Sequence, residues 1–262
     1  MSDAIEQTSD AGASAPEALV NGAGETDFTV SPRHAAARAR WAEIIFVIAL
    51  GLYGGLAALA HAYAYFDWDL RINHAIRAVT LPGFDQLMVA LSWLGNGIVP
   101  TILVVGAGMT LYAAGLRLEG ILCMIGVSLG SVMNSLMKLA IARPRPDPSL
   151  VDVMRHYDHN SFPSGHVEFF VTFFGFLLFL SYVLLKPGWL RRLSFAVFGL
   201  LIALIGVSRV YMGAHWPSDT VGAYLAGGVW LMLMIEVYRR TKARQRPKAE
   251  TTRRRGEEEK RG

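Results

Sequence analysis

Six apolar stretches of about 20 residues, at 42–63, 97–115, 119–141, 166–185, 193–212 and 219–238, constrain this chain more than any other feature. A helix of roughly 20 apolar residues crosses a bilayer core of about 30 Å, and it satisfies its own backbone hydrogen bonds while doing so. The pattern therefore predicts an all-α polytopic membrane protein with six transmembrane helices. Composition agrees, because 53% hydrophobic against 18% charged residues is more apolar surface than a soluble chain of 262 residues covers. Between residues 64 and 96, Leu70, Ile72, Ile76 and Val79 alternate with Asp69, Arg71, His74 and Arg77. That stretch is too polar to cross, and it predicts an outer loop with a helix lying on the membrane surface. Phe84 to Leu94 can extend the second span ahead of the Gly95-Asn96-Gly97 break.

Positive charge sets the orientation. Arg33, Arg38 and Arg40 precede the first span, Arg117 separates the second and third, and Lys186, Arg191 and Arg192 separate the fourth and fifth. A basic tail follows from Arg239, so all these cations fall on one side and predict that both termini are cytoplasmic. Three divisions result: a disordered leader over 1–41, a six-helix membrane domain over 42–238 and a basic cytoplasmic tail over 239–262. The leader lacks the early apolar core of a secretory signal. The tail suits anionic lipid better than nucleic acid. One cysteine, Cys123, falls within the third span, which excludes a disulfide framework and a thiolate metal site.

Polar residues at the ends of these spans carry the chemistry. In the third run, Ser208-Arg209 is followed by His215 and Asp219, with Pro217 suited to the first turn of the last helix. Asp219 can accept a hydrogen bond from one imidazole nitrogen and leave the other with a free lone pair, which makes His215 a nucleophile. The pair alone would equally suit an interfacial histidine and a helix-start carboxylate. In the second run, Pro163-Ser164-Gly165-His166 precedes an apolar helix, so Ser164 or Gly165 caps it and its free N–H groups form an anion site. His166 then stands beside that anion, placed to protonate a departing alkoxide. The first run contributes Lys138 and Arg145, the latter between two prolines, and with Arg209 these cations can neutralise phosphorus-bound oxygens. Basic residues at span ends also snorkel to head groups without any such role.

The combined pattern, Lys138-x6-Arg145-Pro146, Pro163-Ser164-Gly165-His166 and Ser208-Arg209-x5-His215-x3-Asp219, resembles the type-2 phosphatidic acid phosphatase superfamily. These are membrane phosphatases that share an active site with vanadium haloperoxidases. The resemblance covers roughly residues 42–238. It implies that His215 attacks phosphorus to give a phosphohistidine, that Asp219 orients it, and that His166 protonates the leaving oxygen and then helps activate water. It further implies that Lys138, Arg145, Ser164, Gly165 and Arg209 hold the phosphate, with no metal and no cofactor. Arg143 and Asp147 adjoin the first run without a role fixed by the motif.

The expected activity is hydrolysis of the terminal phosphate of a lipid phosphate or diphosphate, at the periplasmic face of a bacterial-type inner membrane. Phosphatidic acid, phosphatidylglycerol phosphate, polyprenyl diphosphate and lipid A all fit. Rival expectations are a lipid-phosphate binding or transport protein, and a vanadate-dependent haloperoxidase. Two further residue sets stand outside the motif. Glu168 would be the third helical position and close a capping interaction if Gly165 is the cap, or else contact a head group or a neighbouring cation. His156 and His159 lack the partner spacing of a metal site.

Overall fold

The computed structural model describes residues 32–155, 157 and 159–259, with side chains for those from 40 to 245. Among them are eight helices and no strand: α1 (Pro32–Ala62), α2 (Asp67–Arg77), α3 (Phe84–Leu94), α4 (Val99–Ala113), α5 (Arg117–Ile141), α6 (Gly165–Leu184), α7 (Trp189–Tyr211) and α8 (Pro217–Glu259). Five are long and apolar enough to cross a membrane, and α3 with α4, bent by 62°, can serve as a sixth span. The second span is thus broken at Gly95–Gly97, where the sequence let Phe84 to Leu94 extend it, and α4 keeps within the 97–115 read for its apolar part. Gly95 ends α3, and Gly97 adopts the left-handed conformation (φ 58°) that reverses the chain into α4.

Helix α6 forms the centre, packed by α5, α7 and α8. It is apolar on every side, which a buried helix requires, and Phe169, Phe170, Phe173, Phe174 and Phe176 all lie inside. Small residues bring its neighbours close. Trp230 of α8 donates its indole N–H to the Gly126 carbonyl of α5 at 2.8 Å. At the other end of that contact, Glu119 is buried and paired with Lys242 at 2.8 Å.

Three boundaries differ from those read in the sequence. Helix α1 begins at Pro32, inside the leader expected over 1–41, because Pro32 suits a first turn and Ala35, Ala36 and Ala37 favour helix; residues 1–31 of that leader lie outside the described residues. Helix α8 runs on through the basic tail to Glu259. Third, α2, expected as a helix lying on the membrane surface, buries one of its faces in the bundle. Its Asp69 and Asn73 are fully buried against α7 and α8, because Asp69 has cationic and hydroxyl partners there.

Candidate active site

Alternating helix directions bring the C-terminal ends of α5 and α7 and the N-terminal ends of α6 and α8 to one side of the molecule, and every motif residue lies there. Helix α5 stops at Ala142, which takes the left-handed conformation (φ 53°) and donates its N–H to Lys138 O at 3.0 Å. The reversal turns Arg143 inward and leaves Arg145 one proline further along.

His215 sits in the short connection between α7 and α8 and is 2% exposed. Its Nδ1 lies 3.4 Å from Asp219 Oδ2, and its Nε2 lies 3.3 Å from Arg145 Nη1. Burial holds its pKa well below the ordinary value of 6.5, and the charges of Lys138, Arg145 and Arg209 push the same way, so the imidazole is neutral. With Nδ1–H directed at Asp219, the Nε2 lone pair faces Arg145. Asp219 is in turn fixed by the Trp216 N–H at 2.9 Å, by the Ser161 hydroxyl and by Arg143 Nη1 at 2.6 Å.

The remaining cations converge on the same space. Lys138 donates to the carbonyls of Asn160 (3.0 Å) and Ser161 (3.1 Å). Arg145 donates Nε–H to His159 O and Nη1–H to Ala214 O, each at 2.6 Å. Burial and the nearby Arg209 draw the Arg145 pKa down to about 10, still protonated at neutral pH. Arg209 is anchored by the Ser92 hydroxyl, and its Nε has no partner. The Tyr157 ring faces both guanidiniums, 4.7 Å from Arg145 and 5.4 Å from Arg209. On α6, Ser164 is the cap and Gly165 the first helical residue. The Ser164 hydroxyl and His166 Nε2 are buried without partners, which leaves both available to a bound anion. His166 packs on Gly95, at the α3–α4 bend.

Two residues with no place in the motif complete the arrangement. Arg143, 1% exposed, spans from Asp219 to Asp69 Oδ2 (3.1 Å) and Ser218 Oγ (2.7 Å), and its Nε donates to Ala64 O at 3.1 Å. Asp69 accepts the Ser218 N–H at 2.8 Å and its hydroxyl at 2.7 Å. A continuous string, Asp69–Arg143–Asp219–His215, therefore runs from α2 to the imidazole. The sequence signal for it was a doubled arginine, Arg143 and Arg145, in a proline turn; nothing local marked Asp69.

Glu168 departs from its expected capping role. With Ser164 as cap it is the fourth helical residue, and its carboxyl turns away toward Gly130 and Trp230. His156 lies outside the described residues, and His159 contributes its carbonyl to Arg145. Among the described residues, no three His, Cys, Asp or Glu side chains converge as a metal site.

This multi-span helical bundle thus gathers a buried neutral imidazole, three cations and a helix N-terminus at one end. The PAP2 superfamily profile matches residues 118–243, a little under half of the chain. Phosphatidylglycerophosphatase B of Bacillus subtilis (strain 168) is 28% identical over 178 residues, covering 66% of this chain and 84% of that protein. Lipid A 1-phosphatase of Rhizobium etli is 32% identical over 121 residues, 44% of this chain and 48% of its own length. In structure, the transmembrane PAP2-type phosphatidylglycerolphosphate phosphatase from Bacillus subtilis superposes with a TM-score of 0.60 at 25% identity, over 74% of this chain and 96% of that one.

Proposed function

We propose that this protein is an integral membrane phosphatase that removes the terminal phosphate of a lipid phosphate or diphosphate through a phosphohistidine. The observation that carries this reading is the neutral, buried His215, oriented by Asp219 beneath Lys138, Arg145 and Arg209. Phosphate would sit at the α6 N-terminus, held by Ser164, the Gly165 N–H and the three cations. His215 Nε2 attacks phosphorus, the P–N bond forms, and the P–O bond to the lipid breaks as His166, which takes up a proton once the phosphate anion is bound beside it, gives that proton to the leaving oxygen. Water then attacks the phosphohistidine, with His166 taking its proton, and inorganic phosphate leaves as the P–N bond breaks. No residue in this sequence of steps calls for a metal or a cofactor.

The names of the relatives support phosphatidylglycerol phosphate and lipid A 1-phosphate as members of the substrate panel, and the apolar surroundings equally admit phosphatidic acid and polyprenyl diphosphates. The distribution of Lys and Arg supports a site facing the periplasm of an inner membrane, with the basic tail against anionic lipid inside. The test is phosphate release from that panel by purified protein. Wild type is expected to release phosphate, and His215→Ala to fall by roughly three orders of magnitude or more, the scale of losing a nucleophile. Activity surviving in His215→Ala would overturn the mechanism, and a flat panel with wild type would favour a binding or transport role.

A further inference from the structure

Below the catalytic end, a cavity of about 210 Å³ lies among α1, α5, α6 and α8, with walls that include Leu50, Met133, Val229 and Trp230. It is apolar except for three side chains, Tyr53, Asn134 and Glu168, and each holds buried polar atoms without a hydrogen-bond partner: Tyr53 Oη, Asn134 Nδ2 and both carboxyl oxygens of Glu168. Glu168 is 3% exposed. The hydroxyl near it, Thr172 Oγ1, is directed to the Glu168 and Phe169 carbonyls at 3.0 and 3.2 Å. Trp230 likewise gives its N–H to Gly126. Orphaned polar atoms in apolar surroundings are costly and call for a partner. Two of the three meet along α5: Gly130 faces the Glu168 carboxyl, and Asn134 follows one helical turn later with its amide oxygen beside Gly165.

The cavity has a lateral mouth. At their outer ends α1 and α5 are joined, His61 Nδ1 lying 3.0 Å from Ile141 O. Further down, Leu50 and Met133 are 48% and 44% exposed on the bilayer side. An occupant must therefore offer a small polar head to Glu168, Tyr53 and Asn134 while an apolar body leaves between α1 and α5. The three groups supply an acceptor, the carboxyl, and two donors, the phenol and the amide. A hydroxyl carries one donor and two lone pairs and so has a match for each of the three, whereas an ammonium, which cannot accept, leaves the amide N–H groups unpaired.

We propose that this cavity is a binding site for a long-chain lipid alcohol, its hydroxyl held by Glu168, Tyr53 and Asn134 and its chain in the bilayer. The site adjoins the phosphate cradle at Gly165 but faces away from it, because Glu168 and His166, two residues apart on α6, project to nearly opposite sides of the helix. For a lipid phosphatase a lipid alcohol is the class of its own product, but occupancy of the cavity does not depend on hydrolysis.

The test is photolabelling of the full-length protein in detergent with an oleyl alcohol analogue carrying a diazirine in its chain, mapped by mass spectrometry. Label is expected on residues 50–53 or 133–137. Oleyl alcohol or dioctanoylglycerol should displace it, the first standing for any membrane alcohol and the second for a product, and displacement by either upholds the site. Glu168→Leu should weaken labelling roughly tenfold, the effect of one lost hydrogen bond of about 1.4 kcal/mol, while its melting temperature stays at or above that of wild type. Tyr53→Phe should show a smaller loss and serves if Glu168→Leu does not fold. Displacement by oleyl methyl ether equal to that by the alcohol would mean that the cavity takes any chain, and tenfold tighter oleylamine would make it a cation site. Either result overturns the proposal, as do unchanged labelling in both variants and label placed elsewhere. The assay contains no phosphate ester, so absence of phosphatase activity would leave this inference standing.

Discussion

At the scale of single residues, the chemistry proposed for His215 depends on groups that never touch a substrate. Arg143 carries one carboxylate on each side, Asp69 at 3.1 Å and Asp219 at 2.6 Å, with both side chains of each pair fully buried. Removing one member of a buried ionic network strands the others, which costs far more than the intact pair contributes. Asp69→Asn keeps the volume but loosens Arg143, and with it the carboxylate that holds the imidazole. We expect kcat to fall roughly 30- to 100-fold, about 2–3 kcal/mol, with KM changed less than threefold, because the cations proposed to hold phosphate are untouched. A purely structural role for Asp69 would instead lower the melting temperature with kcat per folded molecule unchanged. His215 itself makes stability pH-dependent. Its pKa is held well below 6.5 in the folded protein, so as pH falls through the ordinary histidine range the unfolded chain takes up a proton that the folded one refuses. Stability therefore drops on the acid side, by up to about 1.4 kcal/mol per pH unit, and is unaffected above pH 7. His215→Gln should reduce the slope of the melting-temperature profile between pH 6.5 and 5; an unchanged slope would show that other groups set it.

Among the helices, the α3–α4 bend is the element whose importance to the site exceeds what its sequence announces. Gly95 packs on the His166 ring so closely that a Cβ there would overlap it, and Ser92, one turn earlier, anchors Arg209. Gly95→Ala should thus shift His166 and reduce kcat roughly tenfold or more while leaving the spans intact, whereas alanine at Gly106 on α4, with open space around it, should do neither. Phosphate release measured on both variants decides this. The motif residues were legible because lipid makes a charge at a span end conspicuous, and their spacing alone brought Lys138, Arg145, Ser164, Gly165, His166, Arg209, His215 and Asp219 to one end of the bundle. Asp69 was not legible. In an alternating polar segment a carboxylate reads as solvent-facing, and its partners Arg143 and Ser218 lie 74 and 149 residues away along the chain. Glu168 was noticed but misplaced by one position, since a cap at Ser164 instead of Gly165 rotates its carboxyl by about 100°, out of reach of the cap and into the cavity.

For the whole molecule, the arrangement of charge determines which side of a membrane the site meets. The four helix ends that carry the motifs lie opposite Lys186 in the α6–α7 connection with Arg191 and Arg192 in the first turn of α7, and opposite Arg117 at the start of α5. The pair of buried Glu119 with Lys242, reinforced by the Tyr238 hydroxyl at 3.1 Å, ties α5 to α8 at this second end. Short connections rich in Lys and Arg stay in the cytoplasm, so the site should face outward. A lipid phosphate would then reach it by diffusing in the outer leaflet, with no need to cross the bilayer. The protein offers a direct check, because its one cysteine, Cys123, is buried and Cys123→Ala provides a cysteine-free background. Ser149, exposed beside the first motif, and Lys186, exposed between α6 and α7, mark the two ends. In intact cells an impermeant maleimide should label Ser149→Cys and spare Lys186→Cys, which should react only after the membrane is opened. The reverse pattern would place the cradle in the cytoplasm and require a cytoplasmic lipid phosphate, leaving the chemistry of His215 intact but changing the pool of lipid on which it acts.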